Sequence, residues 1–397
     1  MVENVRSIYD HFVVKGEKFI MRVDFNVPLK DGKVYDDTRI RKSLPTIQHL
    51  LYKGAVVILL SHLGRPKGKV KPEFSLRPVA SHLADLLQQE VFFIPFTEDR
   101  EILYNYVKDA LPGTVIMLEN VRFYPGETQG DESLAETWAS LADFYVNEAF
   151  GVSHRKHTSV YHLPLKFPAN RRFAGPLLLK EIQAGHQLLE GTSQPYVVIT
   201  GGAKISDKVK LLKKLLNEAD RVLIGGAMAT CFLKAKGINV GKSFYEQKAV
   251  ETAEQLLKEY EVKIRLPLDV VISFPDNTTT TVKVSEIPPE GAVMDIGPET
   301  IADWELYILS AARIFWNGPV GVFEQDPFAY GTQSICNLLS QAHLNGTFVV
   351  VGGGDTAAAA NKFGITDKVS HVSTGGGAML KFLEAGTLPG IEALYKE

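Results

Sequence analysis

The hydrophobic pattern of the first half predicts short buried strands that alternate with amphipathic helices. Nearly continuous apolar segments, such as AVVILLSHLG at 55–64 and GTVIMLENVRF at 113–123, have the length of strands. They are separated by segments with helical periodicity, such as LRPVASHLADLLQQ at 76–89. Parallel strands covered by helices on both faces are typical of βαβ units. The pattern therefore predicts a doubly wound α/β domain.

The same alternation restarts in the second half of the 397-residue chain, which is long enough for two cores. Residues 173–190, FAGPLLLKEIQAGHQLLE, have the periodicity of one long helix that joins the two halves. LPLDVVIS at 266–273 continues the strand pattern, and the polar TTTTVKVS at 278–285 predicts a small antiparallel flap. We expect an N-terminal domain at 1–172, the connecting helix, and a C-terminal domain at 191–379.

The stretch MRVDFNVP at 21–28 alternates strictly between apolar and polar residues, which predicts a strand that ends at Pro28. Its polar face carries Asp24 and Asn26, and both residue types are poor strand formers. Taken alone, the segment is compatible with an ordinary solvated face or with a binding site.

Composition and charge narrow the function classes. A net charge of −3 gives no general attraction to nucleic acid or to anionic membranes, and no apolar run reaches the length of a membrane span. The two cysteines lack metal-site spacing, so we expect a cytoplasmic protein without disulfides. Residues 1–172 contain 11 of the 14 arginines, whose planar fork binds phosphate and carboxylate. This excess suggests an anionic ligand, although solvated surface positions explain it equally well.

Glycine clusters follow five predicted strands of the second half. They begin at Gly201, Gly225, Gly318, Gly352 and Gly375. Ligands of open α/β sheets bind beyond the carboxyl ends of the strands, where glycines let backbone amides approach phosphate. The clusters therefore favour a phosphate-bearing ligand.

Charged residues beside these glycines indicate which ligand it is. Lys204 and Lys208 lie four residues apart at the start of a predicted helix, where they either contact phosphate or form a solvated face. Asp355 lies within GGGDTA, which matches a loose dinucleotide pattern but would place a carboxylate against pyrophosphate. A divalent cation between that carboxylate and the phosphates resolves the conflict. This favours nucleoside triphosphate chemistry over two rivals, an NAD-dependent dehydrogenase and a non-catalytic phosphosugar-binding protein.

Taken together, the motifs of the chain resemble those of the phosphoglycerate kinase family. The resemblance covers nearly the whole chain and rests on ten segments in order: RVDFNVP (22–28), DDTRI (36–40), SHLGRP (61–66), LENVRFYPGE (118–127), NEAFGVSHRKH (147–157), GGAKISDK (201–208), IGGAMA (224–229), WNGPVGVFE (316–324), GGGDTAA (352–358) and STGGGA (373–378). It implies two Rossmann-like domains, with the substrate on the first and the nucleotide on the second. The implied reaction transfers the acyl phosphate of 1,3-bisphosphoglycerate to MgADP and gives 3-phosphoglycerate and ATP.

The resemblance also assigns residues to each ligand. On the substrate side it implies Asp24, Asn26, Arg39, His62, Arg65, Arg122 and Arg155. On the nucleotide side it implies Gly202, Lys204, Lys208, Gly226, Asn317, Pro319, Glu324, Gly353, Gly354, Asp355 and Thr356, with Asp355 as the Mg²⁺ ligand. The groups expected at the transferred phosphate are Arg39, Lys208 and the helix start at Gly375, Gly376 and Gly377.

The resemblance further implies a monomer whose last residues, from 380 to 397, return to the N-terminal domain. The chain departs from the usual family pattern at Ala227, Pro176, Leu179, Met379 and Lys381. Pro176 requires a position in the first turn of its helix. Leu179 replaces a usual acid, so an acidic hinge contact is not expected there.

Overall fold

The computed structural model describes residues 4–202 and 208–396, and all structural statements below concern those ranges. The chain divides into two compact units. Unit 1 comprises residues 1–183 and 387–397, and unit 2 comprises residues 184–386. The domain boundaries given above stay a prediction.

The described part of unit 1 contains one parallel sheet and a short hairpin. Its strands are β1 (Lys18–Arg22), β2 (Leu29–Lys30), β3 (Lys33–Val34), β4 (Val56–Leu60), β5 (Val91–Ile94), β6 (Val115–Leu118), β7 (Phe144–Asn147) and β8 (Arg172–Ala174). The parallel strands lie in the order β5-β6-β4-β1-β7-β8, and β2 pairs with β3. Every residue of β4 is buried, as expected for a strand covered on both faces.

Helices cover this sheet and supply the rest of its core. They are α1 (Thr38–Tyr52), α2 (Arg77–Leu87), α3 (Arg100–Lys108), α4 (Pro125–Gln129), α5 (Glu132–Ala139) and α6 (Leu163–Leu165). The apolar faces of α1 and α2 join the same buried cluster as Phe19, Val57 and Met117. The predicted doubly wound architecture is therefore present in unit 1.

The strand predicted for 21–28 is wrong in extent, because β1 ends at Arg22. After Val23 the backbone bonds to side chains: the Phe25 amide donates to Ser61 Oγ at 2.9 Å. Asn26 Oδ1 accepts from the Gly64 amide at 2.9 Å. The Asn26 amide also donates to Asp24 Oδ1 at 3.4 Å, and a local side-chain bond of this kind competes with the ladder of a sheet. Asp24 and Asn26 thus lie on a loop beyond the carboxyl end of β1.

Unit 2 also contains a parallel sheet covered by helices, together with a small antiparallel sheet. Its strands are β9 (Tyr196–Thr200), β10 (Arg221–Ile224), β11 (Ile264–Arg265), β12 (Asp269–Ser273), β13 (Thr279–Lys283), β14 (Ala292–Ile296), β15 (Arg313–Asn317), β16 (Phe348–Val351) and β17 (His371–Val372). The parallel sheet has the order β11-β10-β9-β15-β16-β17. The antiparallel flap is present, in the order β13-β12-β14. LPLDVVIS forms β12 of this flap, so its prediction as one more strand of the parallel alternation is wrong.

The helices of the second half begin with the connecting helix. They are α7 (Pro176–Glu190), α8 (Val209–Glu218), α9 (Gly226–Ala235), α10 (Gln247–Tyr260), α11 (Pro298–Ser310), α12 (Tyr330–Leu344), α13 (Gly354–Lys362), α14 (Gly376–Ala385) and α15 (Pro389–Glu392). Among the described residues, no helix is both long and apolar enough to span a bilayer.

The connecting helix α7 starts later than the predicted residue 173. Phe173 and its neighbours instead extend the first sheet, because Val146 of β7 pairs with Phe173 of β8. Pro176 is the first helical residue, where the lack of an amide proton costs nothing. Near the chain end, the Gly390 amide donates to the Ser153 carbonyl at 2.8 Å within unit 1.

Candidate active site

The described glycine turns of unit 2 meet at the carboxyl edge of its parallel sheet and border a cavity. The cavity has a volume of about 500 Å³, within the range of small-ligand sites. Its lining includes five predicted nucleotide residues and one departure from the family pattern, namely Gly202, Gly226, Pro319, Glu324, Asp355 and Ala227. Apolar side chains from the flap, among them Val293 and Met294, close another wall. The cavity is thus apolar with few charges, as a nucleoside requires.

Close backbone approach explains why the turn at Gly226 needs glycine. Its φ is +59°, and an added Cβ would lie 2.9 Å from both the Gly202 amide nitrogen and the Pro319 carbonyl oxygen. A side chain there would be strained and would displace the backbone of two neighbouring turns. The three turns after β9, β10 and β15 are therefore in direct contact.

The turns after β16 and β17 also touch. A Cβ on Gly376 would lie 2.6 Å from Gly353 Cα, so the N-termini of α13 and α14 converge. Two helix N-termini at one place concentrate amide donors and positive dipole ends. Gly354, Gly375 and Gly377 lie in the same two turns. The arrangement suits an anion of phosphate type.

Buried polar side chains hold this edge in shape. Asn317 Nδ2 donates to the Gly352 carbonyl at 2.7 Å, and Thr356 Oγ1 accepts from the Gly318 amide at 2.7 Å. Both side chains are buried, so their hydrogen bonds are shielded from water and hold the turns in place. Asn317 and Thr356, predicted from the family motifs, are therefore in place at the ends of β15 and α13.

Charged groups border the same cavity. The exposed Asp355 lies in the first turn of α13 and contributes to the lining. Lys208 lies just before α8, and its Nζ would be 3.7 Å from a Cβ built on Gly202. Lys204 lies outside the described residues. Among the described residues, no group of three or more His, Cys, Asp or Glu side chains could hold a metal by itself.

The predicted substrate residues of unit 1 lie on loops at the carboxyl edge of its sheet and at the start of α1. Arg39 Nη1 donates to Asp24 Oδ2 at 3.0 Å. The Asp24 carboxylate also lies 3.9 Å from His62 Nδ1. Arg122 Nη1 donates to the Gly64 carbonyl at 2.8 Å, and that residue's amide bonds to Asn26. Asp24, Asn26, Arg39, His62 and Arg122 are therefore brought together in one network.

The two other predicted arginines are more open. Arg65 follows β4 and Arg155 follows β7, and both are exposed. Arg155 Nε donates to His154 Nε2 at 3.2 Å. Both side chains are accessible from solvent, whereas Arg122 is partly buried and bonded to the Gly64 carbonyl.

Electrostatics show that this cluster lacks sufficient negative charge of its own. Burial, followed by the charges of Arg22 and Arg155, lowers the pKa of Arg122 to about 10. Burial and the neighbouring guanidiniums lower the pKa of His62 well below its ordinary value and that of His157 to about 4. A bound polyanion would relieve this repulsion.

The structure adds three residues that the sequence analysis did not assign, Arg22, Glu127 and Ser159. Arg22 is fully buried at the end of β1, and its Nε donates to Ser159 Oγ at 2.8 Å. Ser159 Oγ in turn donates to Glu127 Oε1 at 2.6 Å. A signal was available, because an arginine inside an apolar strand must find a buried acceptor.

These features define a class of protein. Two doubly wound α/β units, one with phosphate-type glycine turns around a nucleoside-sized cavity and the other with an arginine cluster, are typical of nucleotide-dependent phosphotransferases. The family model "Phosphoglycerate kinase" matches residues 9–386. The chain belongs to the phosphoglycerate kinase family. It is thus a kinase of glycolysis that uses a nucleotide and small-molecule substrates.

Individual proteins of this family are similar to the chain in sequence and in structure. The chain is 48% identical over 388 residues to a phosphoglycerate kinase of Thermosipho africanus, with 96% of each chain covered. It is 46% identical over 389 residues to that of Pseudothermotoga lettingae, again with 96% of each covered. The solved structure of phosphoglycerate kinase from Coxiella burnetii superposes with a TM-score of 0.89 at 37% identity, covering 98% of both chains. The predicted fold class is confirmed.

Proposed function

We propose that this chain catalyses the reversible transfer of the acyl phosphate of 1,3-bisphosphoglycerate to MgADP, giving 3-phosphoglycerate and ATP. The observation that carries the proposal is the pairing of two chemistries in one chain. Unit 2 has a nucleoside-sized cavity beside converging glycine turns, and unit 1 has an arginine network at the equivalent edge of its sheet. We propose that it acts as a cytoplasmic monomer.

On unit 1, the glycerate moiety offers a hydroxyl, a carboxyl group and a phosphate. Asp24 accepts from the hydroxyl, and the amide of Asn26 donates to an anionic oxygen. Arg65, Arg122 and Arg155 neutralise the phosphate and carboxylate, and His62 donates a hydrogen bond to an anionic oxygen. The substrate thereby supplies the negative charge that this cluster lacks. Arg39, which is partly exposed, contacts the phosphate in transfer.

On unit 2, the cavity takes the nucleoside. Gly202, Gly226 and Pro319 form its backbone wall, and Glu324 accepts from the ribose hydroxyls. Lys204 and Lys208 pair with the phosphates. Asn317, Gly353, Gly354 and Thr356 shape the turn against which the phosphate chain lies.

The residues present fit a magnesium ion that arrives with the nucleotide. Mg²⁺ in kinases is held by one or two carboxylates together with substrate phosphates, and the exposed Asp355 offers one carboxylate beside the glycine turns. When bound, the ion neutralises phosphate charge.

The mechanism requires positioning rather than a general base. The acyl phosphate is already activated, and the attacking ADP oxygen is already anionic. Arg39, Lys208 and the α14 start at Gly375, Gly376 and Gly377 stabilise charge on the phosphoryl group as it moves. Transfer in line needs the reacting atoms ~3–3.5 Å apart, so we propose that the two units close when both ligands are bound. Closure also excludes water from the acyl phosphate.

A direct test is to incubate the protein with 3-phosphoglycerate and MgATP and to trap the acyl phosphate with hydroxylamine. We expect a hydroxamate that forms only with both substrates and Mg²⁺. A dehydrogenase would instead oxidise NADH without any coupling enzyme, and a phosphosugar-binding protein would bind 3-phosphoglycerate without turnover. Either of those results would overturn the proposal.

A further inference from the structure

Arg22 is a buried arginine, and each of its three guanidinium nitrogens has a protein partner. It is completely shielded from solvent at the end of β1. Its Nε donates to Ser159 Oγ at 2.8 Å, its Nη1 donates to the Val23 carbonyl, and its Nη2 lies 3.2 Å from His62 Nδ1. Because the side chain is fully buried, none of these nitrogens is exposed to a ligand. Any effect on the reaction must therefore pass through a neighbour.

The contact with His62 fixes which ring nitrogen carries the proton. A guanidinium can only donate, so a nitrogen 3.2 Å away must accept. The competing partner of Nδ1 is the Asp24 carboxylate, which would need a proton on Nδ1. That separation is 3.9 Å, which is too long for a hydrogen bond. His62 is therefore a neutral imidazole with its proton on Nε2.

Arg22 is itself held in place from the far side. Ser159 Oγ accepts from Arg22 Nε and donates to Glu127 Oε1 at 2.6 Å. Glu127 is fully buried and also accepts from the Ser159 amide at 2.8 Å. A buried guanidinium with a buried carboxylate one hydroxyl away is fixed in position, because each charge would be costly without the other.

We infer that Arg22 is a positioning residue that locks the His62 ring so that its Nε2–H is the hydrogen-bond donor presented to the acidic substrate. The inference rests on the proposed function, because it takes His62 to be a substrate contact. It goes further by assigning the protonation state and the residue that sets it. The low pKa of His62 agrees with a neutral ring. A neutral ring can still donate its N–H to an anionic oxygen of the substrate, and it does so without adding positive charge to the arginine cluster.

The first experiment measures the tautomer in the free enzyme. Nitrogen-15 NMR of the ring, assigned by comparison with His62→Gln, should show a pyridine-type Nδ1 and a pyrrole-type Nε2. In Ser159→Ala, which frees Arg22 Nε without removing the guanidinium, the tautomer preference should weaken. A protonated Nδ1 in the wild-type protein, or a tautomer unaffected by Ser159→Ala, would overturn the inference. This readout needs no turnover, so it separates failure here from failure of the proposed reaction.

The second experiment replaces His62 with glutamine or asparagine, whose side-chain amides resemble different nitrogens of the imidazole ring. Glutamine places its amide near the position of Nε2, and asparagine places it near that of Nδ1. We expect His62→Asn to lose about 10- to 100-fold in kcat/KM for 3-phosphoglycerate, the cost of one hydrogen bond to a charged group. His62→Gln should lose less than about threefold, with the KM for MgATP unchanged in both. The reverse order, in two variants with equal melting temperatures, would contradict the inference.

Discussion

Glu148 is the carboxylate for which the structure gives the sharpest stability prediction. It is fully buried after β7, beneath the start of the connecting helix. Its Oε2 accepts from the Leu178 amide at 3.0 Å, and its Oε1 accepts from the Thr46 hydroxyl. Burial nevertheless dominates these bonds and raises the pKa of Glu148 from 4.5 to about 7. The substitution Glu148→Gln keeps the shape and removes the ionisation.

The sign of the effect follows from proton binding. Between pH 4.5 and 7 the folded state holds a proton on Glu148 that the unfolded chain has lost. The unfolding free energy therefore falls as the pH rises through that window. The difference between pKa values of 4.5 and about 7 corresponds to at most about 3 kcal/mol. Glutamine does not titrate, so the stability of Glu148→Gln relative to wild type should rise by up to that amount between pH 4.5 and pH 8.

The assay is urea unfolding of the two proteins at a series of pH values, followed by the fluorescence of Trp138 in unit 1. Replacing Trp304 and Trp316 of unit 2 with phenylalanine in both proteins leaves Trp138 as the single tryptophan, and excitation at a wavelength that tyrosine does not absorb isolates its signal. Glu136→Gln, at an exposed position in the same unit, is the matched control. Parallel pH profiles for Glu148→Gln and wild type would show that Glu148 is ionised in the fold and that the reasoning fails.

Three further outcomes are expected at the site. Asp355→Ala should lose ~10²–10³ in kcat with an unchanged circular dichroism spectrum, because it removes the carboxylate that we propose holds the nucleotide's magnesium. Arg39→Lys should lower kcat with a modest change in KM, because lysine keeps the charge but lacks the planar fork. Small-angle scattering should show little change in the radius of gyration with either ligand alone and compaction with both, because we propose that each ligand binds its own unit.

Each of these predictions has a control variant or an outcome that would contradict it. Asp367→Ala, an exposed acid of unit 2, and Arg41→Lys, an exposed arginine on the same helix as Arg39, should leave kcat within about twofold. Turnover by Asp355→Ala near the wild-type rate at low Mg²⁺ would exclude its metal role. If Arg39→Lys raises only KM, Arg39 binds the substrate and does not stabilise the transition state. Full compaction with MgADP alone would contradict closure by both ligands.

Much of the fold follows from periodicity, because buried parallel strands and amphipathic helices have distinct patterns. The glycine positions also indicated where the turns approach one another, since close backbone contact such as that at Gly226 tolerates no side chain. The alternation at MRVDFNVP predicted a strand that is too long, and the reason is physical. Val23, Phe25 and Val27 are buried as a strand face would be, yet they belong to a loop packed on the core.

The parts that were not predicted depend on contacts between distant segments. Arg22 and Ser159 are 137 residues apart in sequence, so no local pattern links them. Asp269 begins an apolar run suited to a central parallel strand, but β12 pairs antiparallel with β13 and β14. Its carboxylate accepts from the Thr300 amide at 2.8 Å, at the start of α11. Partners of this kind become visible only when the chain is folded.

The central claim is direct transfer of a phosphoryl group between a substrate on unit 1 and a nucleotide on unit 2. The stereochemical course of the reaction tests it most directly. ATP whose terminal phosphorus is made chiral with oxygen isotopes and sulfur is converted with 3-phosphoglycerate, and the configuration of the transferred group is determined. A single in-line displacement predicts inversion at phosphorus. Retention would mean two displacements through a phosphorylated protein side chain, which contradicts the account.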